Sequence, residues 1–162
     1  MSAAADSVAL DTSAAVPYLM LSHPAHLVTR RHVAGRTVRL TTHSLAETYS
    51  VLTRLPGDAR VKPTDAAAAL AANFEDSIAP SVEVSGYLPA VLAPLGIAGG
   101  AVYDALVGLT AQAGVVRITR DARAIPTYTV VGASIEMAGR DPIPAVKLPS
   151  SIKSPGGEPA RP

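Results

Sequence analysis

Short runs of aliphatic and β-branched residues alternate along this chain with longer segments of helical periodicity, and this alternation strongly limits the possible folds. We predict strands at five short runs, residues 8–10, 37–41, 81–84, 115–119 and 133–137. We predict helices over residues 12–21, 24–35, 44–55, 64–74, 88–95 and 101–113. Strands that alternate with helices indicate an α/β sandwich around a mainly parallel sheet.

The carboxyl-terminal part of the chain differs in composition from the rest. Residues 139–162 contain six prolines and no aromatic residue. A segment with so little apolar surface to bury is predicted to be disordered. We therefore predict one folded domain over residues 1–138 and a proline-rich, disordered tail over residues 139–162.

The 162 residues are enough to bury one core, which must be mainly aliphatic because only 4% of the residues are aromatic. The chain has no cysteine, which excludes disulfides and thiolate metal sites and is typical of a reducing compartment. The longest uncharged stretch, residues 84–103, is interrupted by two prolines and a Gly-Gly pair. We therefore expect no membrane span. The amino terminus has no secretion signal, so we expect a cytoplasmic protein.

The net charge of +1 conceals two segments of opposite charge. Residues 23–62 carry seven Lys and Arg against two acids, whereas residues 63–116 carry five acids and no Lys or Arg. A basic segment beside an acidic one suits a nucleic-acid groove next to a metal site. Solvated helix faces explain the same counts equally well, so both interpretations stay open.

Four acidic residues stand out by their positions, and each has an ordinary structural explanation. Asp11 follows the first predicted strand and is a favoured N-cap for the next helix. Glu47 has the spacing of a capping box with Ser44. Asp104 lies in the first turns of a helix, where an acid complements the macrodipole. Asp121 follows a predicted strand, where a turn or cap role is available.

One feature beside Asp104 is not required by the macrodipole interpretation. Gly108 and Ala111 flank it on its own helix face, which is therefore poor in bulk. We expect this face to leave room for a metal ion or a substrate.

The separate explanations do not account for the joint arrangement of the four acids. Asp11 and Asp121 lie just past strand ends, at the edge where open α/β sheets bind ligands. Four neighbouring carboxylates cannot all stay ionised without cations. Mg²⁺ and Mn²⁺ take carboxylate oxygens, and two such ions can stabilise both oxygens of an in-line displacement at phosphorus. If the four acids converge at this edge they would form a phosphodiesterase site, and their separate roles as caps and turn residues stay open as the alternative.

Four stretches of the chain, taken in order, carry a family resemblance. They are "ALDTSAAVPYL", "HSLAETYSVLTRLP", "GGAVYDALVGLTA" and "RITRDARAIPTY". The ordered set resembles the PIN-domain ribonucleases, and most closely the VapC-type toxins of bacterial toxin–antitoxin modules. The resemblance extends roughly over residues 8–137. It implies a metal-dependent endoribonuclease on a three-layer α/β/α sandwich with a central mainly parallel sheet. It also implies a homodimer that a cognate antitoxin neutralises.

The resemblance also assigns roles to individual residues. Catalytic roles fall on Asp11, Glu47, Asp104 and Asp121. Of these, Asp11, Asp104 and Asp121 would hold Mg²⁺ or Mn²⁺. Ser13 and Thr119 match the hydroxyl positions beside the acids, where they would orient water or a carboxylate.

Four arginines in the basic segment are candidates for holding the RNA backbone irrespective of sequence. They are Arg30, Arg31, Arg36 and Arg39. Two alternatives stay open, namely that they only solvate a helix and the adjacent strand, or that they receive acidic groups of the antitoxin.

The chain departs from the family pattern after the last acid. Some members have a further acid or Asn there, whereas this chain has Ala122, Arg123 and Ala124. We therefore expect a second metal ion to be weakly held, or absent until RNA binds. The proline-rich tail is also outside the family pattern.

Two other functions are compatible with the sequence. The first is a binding module that keeps the fold and the partner surface but has little catalytic activity. The second is a phosphatase with Asp11 as its nucleophile, which lacks the usual second Asp because Ser13 stands there. The histidines indicate no zinc site, since His23 and His26 have no third ligand at a suitable spacing. We interpret His43 as a residue at a helix start and not as a general base.

Overall fold

A parallel β-sheet forms the centre of the protein. The structure is a computed structural model that describes residues 7–110 and 115–139. Its strands are β1 (Ser7–Leu10), β2 (Thr37–Leu40), β3 (Val116–Thr119) and β4 (Ile135–Met137). They lie in the order β2-β1-β3-β4, and every neighbouring pair is parallel. The predicted parallel sheet is therefore confirmed.

Helices connect the strands and cover the sheet. In the described residues they are α1 (Thr12–Leu19), α2 (His26–His32), α3 (Thr42–Arg54), α4 (Pro63–Asn73), α5 (Val82–Leu92), α6 (Ala101–Thr110) and α7 (Ile125–Val130). Two short 3₁₀ turns, Gly57–Ala59 and Ala93–Leu95, follow α3 and α5. None of the helices in the described part of the chain is long and apolar enough to cross a membrane.

The sheet carries apolar side chains on both faces, as a parallel sheet covered on both sides requires. On one face, Leu10 and Ile118 belong to a buried cluster that also contains Leu70 of α4. On the other face, Ile135 packs against a cluster that contains Val107 of α6. Each fully buried aliphatic side chain stabilises the fold by about 1.5–3 kcal/mol. The three-layer α/β/α sandwich is therefore confirmed.

The predicted strand at residues 81–84 is wrong, because these residues begin α5. The side chain of Ser81 caps the helix by accepting a hydrogen bond from the Val84 N–H at 3.2 Å. The segment that does reach the sheet lies just before it, where the Ile78 N–H donates to the Leu40 carbonyl at 2.8 Å. The N-cap thus outweighs the β-propensity of Val82, whose side chain is 88% exposed.

Two predictions concern residues outside the described part of the chain. The tail over residues 139–162 lies outside it except for Gly139, and so does the end of the helix predicted over residues 101–113. The domain limits therefore stay predictions.

Candidate active site

The carboxyl-terminal ends of β1 and β3 open into a cleft of about 440 Å³. Asp11 follows β1 directly, and Asp121 lies two residues beyond the end of β3. The lining of the cleft also includes Glu47 from α3 and Asp104 from α6. The fold thus brings four acids from distant parts of the sequence to one cleft.

Asp11 is both a helix cap and a buried member of this cleft. Its Oδ1 accepts hydrogen bonds from the Ala14 N–H at 3.1 Å and from the Ser13 hydroxyl at 2.5 Å. Its Oδ2 accepts one from the Tyr128 hydroxyl at 3.3 Å. Burial raises the pKa of the Asp11 carboxyl, and these hydrogen bonds partly oppose the rise. Asp11 is therefore the N-cap of α1, and it is also one of the acids that line the cleft.

The pKa of Asp104 depends on the charges of the other acids in the cleft. Burial raises the pKa of its carboxyl, and the negative charges of Asp11, Asp121 and Glu47 raise it further. His43 acts in the opposite direction. Like charges shift a pKa in this way only when they are close together. Asp104 is therefore the acid of the cleft at which the charges of the other three act.

Asp121 is held by its neighbour Arg123. Its Oδ1 accepts from the Arg123 Nε at 3.0 Å, and its Oδ2 accepts from Nη2 at 2.9 Å. The hydrogen bond from Arg123 lowers the pKa of the Asp121 carboxyl. Arg123 thus partly neutralises the last acid of the cleft.

Glu47 does not form the predicted capping box. The N-cap of α3 is Thr41, whose hydroxyl accepts from the Ser44 N–H at 3.1 Å. Ser44 is buried inside the first turn. Glu47 instead accepts a hydrogen bond from the Thr12 hydroxyl at 2.5 Å. The Glu47 carboxylate therefore faces α1 and the cleft.

Two hydroxyl side chains link the ends of β1 and β3. The Ser13 hydroxyl lies 3.3 Å from that of Thr119 and accepts from the Arg120 N–H at 2.7 Å. The Thr119 hydroxyl accepts from the Asp121 N–H at 3.1 Å. Both hydroxyls therefore lie beside acids of the cleft, and their role in orienting water or a carboxylate stays a prediction.

The expectation that Gly108 leaves open space beside Asp104 is wrong. A Cβ added there would lie 2.6 Å from Val131 Cγ2 and 3.2 Å from Tyr128 Cδ1. The missing side chain therefore lets α7 pack closely on α6, which brings the Tyr128 hydroxyl to Asp11. Ala111, the other small residue, lies outside the described residues.

The chemistry of the four side chains fits a hard divalent cation, because such ions take carboxylate oxygens. The four carboxylates are not oriented as a set of metal ligands in this structure. Among residues 7–110 and 115–139, no group of three or more Asp, Glu, His or Cys side chains is placed to hold a metal ion. Glu47 and Asp121 point to hydrogen-bond partners on the protein. A cation would have to draw these two carboxylates from those partners.

The four arginines proposed to hold RNA are not among the described residues that line the cleft. Arg36 forms a bidentate ion pair with Glu136, with distances of 2.7 and 3.1 Å. Arg39 donates to a backbone carbonyl at 2.9 Å, and Arg30 lies 4.2 Å from the centre of a tyrosine ring. Arg31 is exposed. Contact between these arginines and RNA stays a prediction.

Two tyrosines of the cleft were missed by sequence reasoning. Tyr128 is fully buried and donates to Asp11, while Tyr103 is 58% exposed at the mouth of the cleft. The one sequence signal was their rarity, since the chain has five tyrosines and a single phenylalanine.

Comparison with known proteins gives two close relatives, although no family model matches the chain. Ribonuclease VapC27 of Mycobacterium tuberculosis (strain ATCC 25618 / H37Rv) is 47% identical over 132 residues, which are 81% of this chain and 96% of that protein. Ribonuclease VapC40 of the same species (strain CDC 1551 / Oshkosh) is 40% identical over 133 residues, which are 80% of this chain and 98% of that protein. Relatives this similar over nearly their whole length show that the chain belongs to the VapC-type family of PIN-domain ribonuclease toxins.

Proposed function

We propose that this chain is the toxin of a toxin–antitoxin pair and cleaves RNA internally in a reaction that requires Mg²⁺ or Mn²⁺. The observation that carries the proposal is the placement of Asp11, Glu47, Asp104 and Asp121 around one cleft at the carboxyl edge of the sheet. The negative charges of the other three acids raise the pKa of Asp104, and a bound cation would offset that repulsion. The ribonuclease names of the relatives support RNA as the substrate.

Each acidic residue of the cleft has its own role in the proposed reaction. Asp11 and Asp104 would hold the principal ion, with Asp121 as a further ligand, and Glu47 would position the attacking water. A bound Mg²⁺ or Mn²⁺ supplies positive charge that acidifies water and stabilises the developing charge on phosphoryl oxygens. Ser13 and Tyr128 keep the Asp11 carboxylate oriented by donating hydrogen bonds to its two oxygens.

The partners in this proposal are those that membership of the VapC-type family implies. A cognate antitoxin would neutralise the toxin, and the active form would be a homodimer in the cytoplasm. The cleft alone does not identify the cleaved RNA, because the phosphodiester backbone is the same in every RNA and carries no sequence information.

The test is cleavage of a mixed tRNA and rRNA pool by the protein purified without its antitoxin. Reactions contain Mg²⁺, Mn²⁺ or EDTA. They compare the wild type with Asp104→Asn and with Asp58→Asn, which removes an exposed acid outside the cleft. We expect discrete fragments from the wild type and from Asp58→Asn. We expect none with EDTA or with Asp104→Asn, because the cation loses its site.

A second candidate, the binding module with little catalytic activity, is favoured by one observation. No three described acidic, histidine or cysteine side chains are already placed to hold a metal ion. Intact RNA in every reaction, from protein shown to be folded by circular dichroism, would select this candidate. Fragments that persist in EDTA would contradict the metal-dependent mechanism instead.

A further inference from the structure

Two aromatic rings stack on each other at the mouth of the acidic cleft. The rings of Tyr103 and His43 lie 5.2 Å apart between centroids and 9° from parallel. Both residues line the cleft that contains Asp104. This spacing is within the favourable range for stacked aromatic pairs.

The positions of both rings are fixed by the elements that carry the acids. Tyr103 directly precedes Asp104 on α6, and His43 lies one helical turn before Glu47 on α3. The stacked pair thus bridges the two helices that supply two of the four carboxylates. A ring held by such a partner loses little further freedom when it binds a ligand.

Tyr103 is not needed for the core of α6. The buried residues of this helix include Ala105, Val107 and Leu109, whereas the side chain of Tyr103 is 58% exposed. The ring of Tyr103 is thus partly exposed beside the acids and is not used to fill the core. Such a ring offers a flat apolar surface beside the acids of the cleft.

We propose that Tyr103, stacked on His43, is a subsite for an unpaired nucleobase next to the cleaved phosphate. The subsite rests on the proposed ribonuclease function. Every nucleobase has a π face, so the subsite selects RNA that is single-stranded at the cleavage point and does not select a particular base. A partner protein is disfavoured as the ligand, because the ring shares the cleft with the acid that the substrate must approach.

The test is binding of an unstructured single-stranded RNA oligonucleotide that carries 2-aminopurine, whose fluorescence is quenched by stacking. The proteins are the wild type, Tyr103→Ala, Tyr103→Phe and Tyr87→Ala. Tyr87 is the matched control, since it is 67% exposed on α5 and does not line the cleft. Cleavage of the mixed RNA pool is measured beside binding.

Tyr103→Ala is expected to weaken binding by roughly 5- to 150-fold and to abolish the stacking-dependent quenching. Tyr103→Phe should retain both because it keeps the ring, and Tyr87→Ala should match the wild type. Wild-type affinity and quenching in Tyr103→Ala would overturn the subsite, and so would an equal loss in Tyr103→Phe. A Tyr103→Ala variant that binds RNA normally but no longer binds the antitoxin would also overturn the subsite.

The failure of the subsite and the failure of the ribonuclease function are distinguishable. A wild type that cleaves RNA, with binding unaffected by Tyr103→Ala, overturns the stacking subsite alone. A wild type that neither binds nor cleaves RNA overturns both.

Discussion

Replacing Gly108 with alanine is expected to destabilise the protein and to disturb its active site. The new Cβ would lie 2.6 Å from Val131 Cγ2 and 3.2 Å from Tyr128 Cδ1. Ordinary carbon–carbon contacts are about 3.5–4.0 Å, so α7 would have to move by about 1 Å. Because Tyr128 donates to Asp11, the same movement disturbs the orientation of that carboxylate.

Two opposing terms set the size of the effect. Alanine is about 1 kcal/mol better than glycine inside a helix, which favours the variant. Overpacking of a filled core costs about 1–3 kcal/mol, and the buried, β-branched Val131 has little freedom to move aside. We expect the cost to exceed the gain, with a net loss of about 1 kcal/mol in the free energy of unfolding.

Gly86→Ala is the matched control for this experiment. Gly86 lies in α5 next to the kink at Tyr87, and a Cβ added there meets no atom within 4 Å. This variant should therefore be more stable than the wild type by up to about 1 kcal/mol. Urea unfolding measures both variants, and RNA cleavage should fall only for Gly108→Ala. A Gly108→Ala variant as stable and as active as Gly86→Ala would refute the packing argument.

Three further substitutions test other parts of the structure. Burial raises the pKa of the Asp11 carboxyl above its ordinary value of 3.8, so the folded state favours the protonated carboxyl. The stabilisation by the protonated carboxyl is complete below pH 3.8 and is lost as the pH rises through the raised pKa. Asp11→Asn should thus unfold at higher urea than the wild type at pH 7 in EDTA, with the gap closing near pH 4, and should not cleave RNA. Hydrogen bonding to Arg36 lowers the pKa of Glu136 below 4.5, so its contribution is present above 4.5 and disappears as the pH falls through the lowered value. Glu136→Gln should therefore cost less than about 1 kcal/mol at pH 7 and nothing at low pH, since the pair is partly exposed. Arg117 is fully buried and donates to the carbonyls of Val107, Gly108 and Val115, so Arg117→Met should lower the free energy of unfolding by about 2–4 kcal/mol in urea titrations.

The parts of the fold that follow from local patterns could be predicted from the sequence. The runs that form β1 and β3 are short and consist mostly of uncharged, β-compatible residues, and each is followed within two residues by an acid. Parallel strands present their carboxyl ends at one edge, so Asp11 and Asp121 were expected to meet there. The strand prediction for residues 81–84 was wrong because Ser followed by Val is compatible both with a strand and with a capped helix start.

The contacts that complete the site could not be predicted, because they join residues far apart in the sequence. Tyr128 reaches Asp11 across 117 positions, and Arg36 reaches Glu136 across 100. Glycine at position 108 indicates a missing side chain, but the sequence does not say that Val131 fills the space. Such pairings depend on which helix covers which face of the sheet.

The most direct test of the central claim is a count of bound Mn²⁺ ions, from the electron paramagnetic resonance signal of the free ion during titration of the protein. The wild type is compared with Asp104→Asn and Asp58→Asn at equal concentration. We expect the wild type and Asp58→Asn to remove at least one equivalent of Mn²⁺ from solution, and Asp104→Asn to remove none. Equal free Mn²⁺ in all three titrations would contradict the claim that the four carboxylates form a metal site.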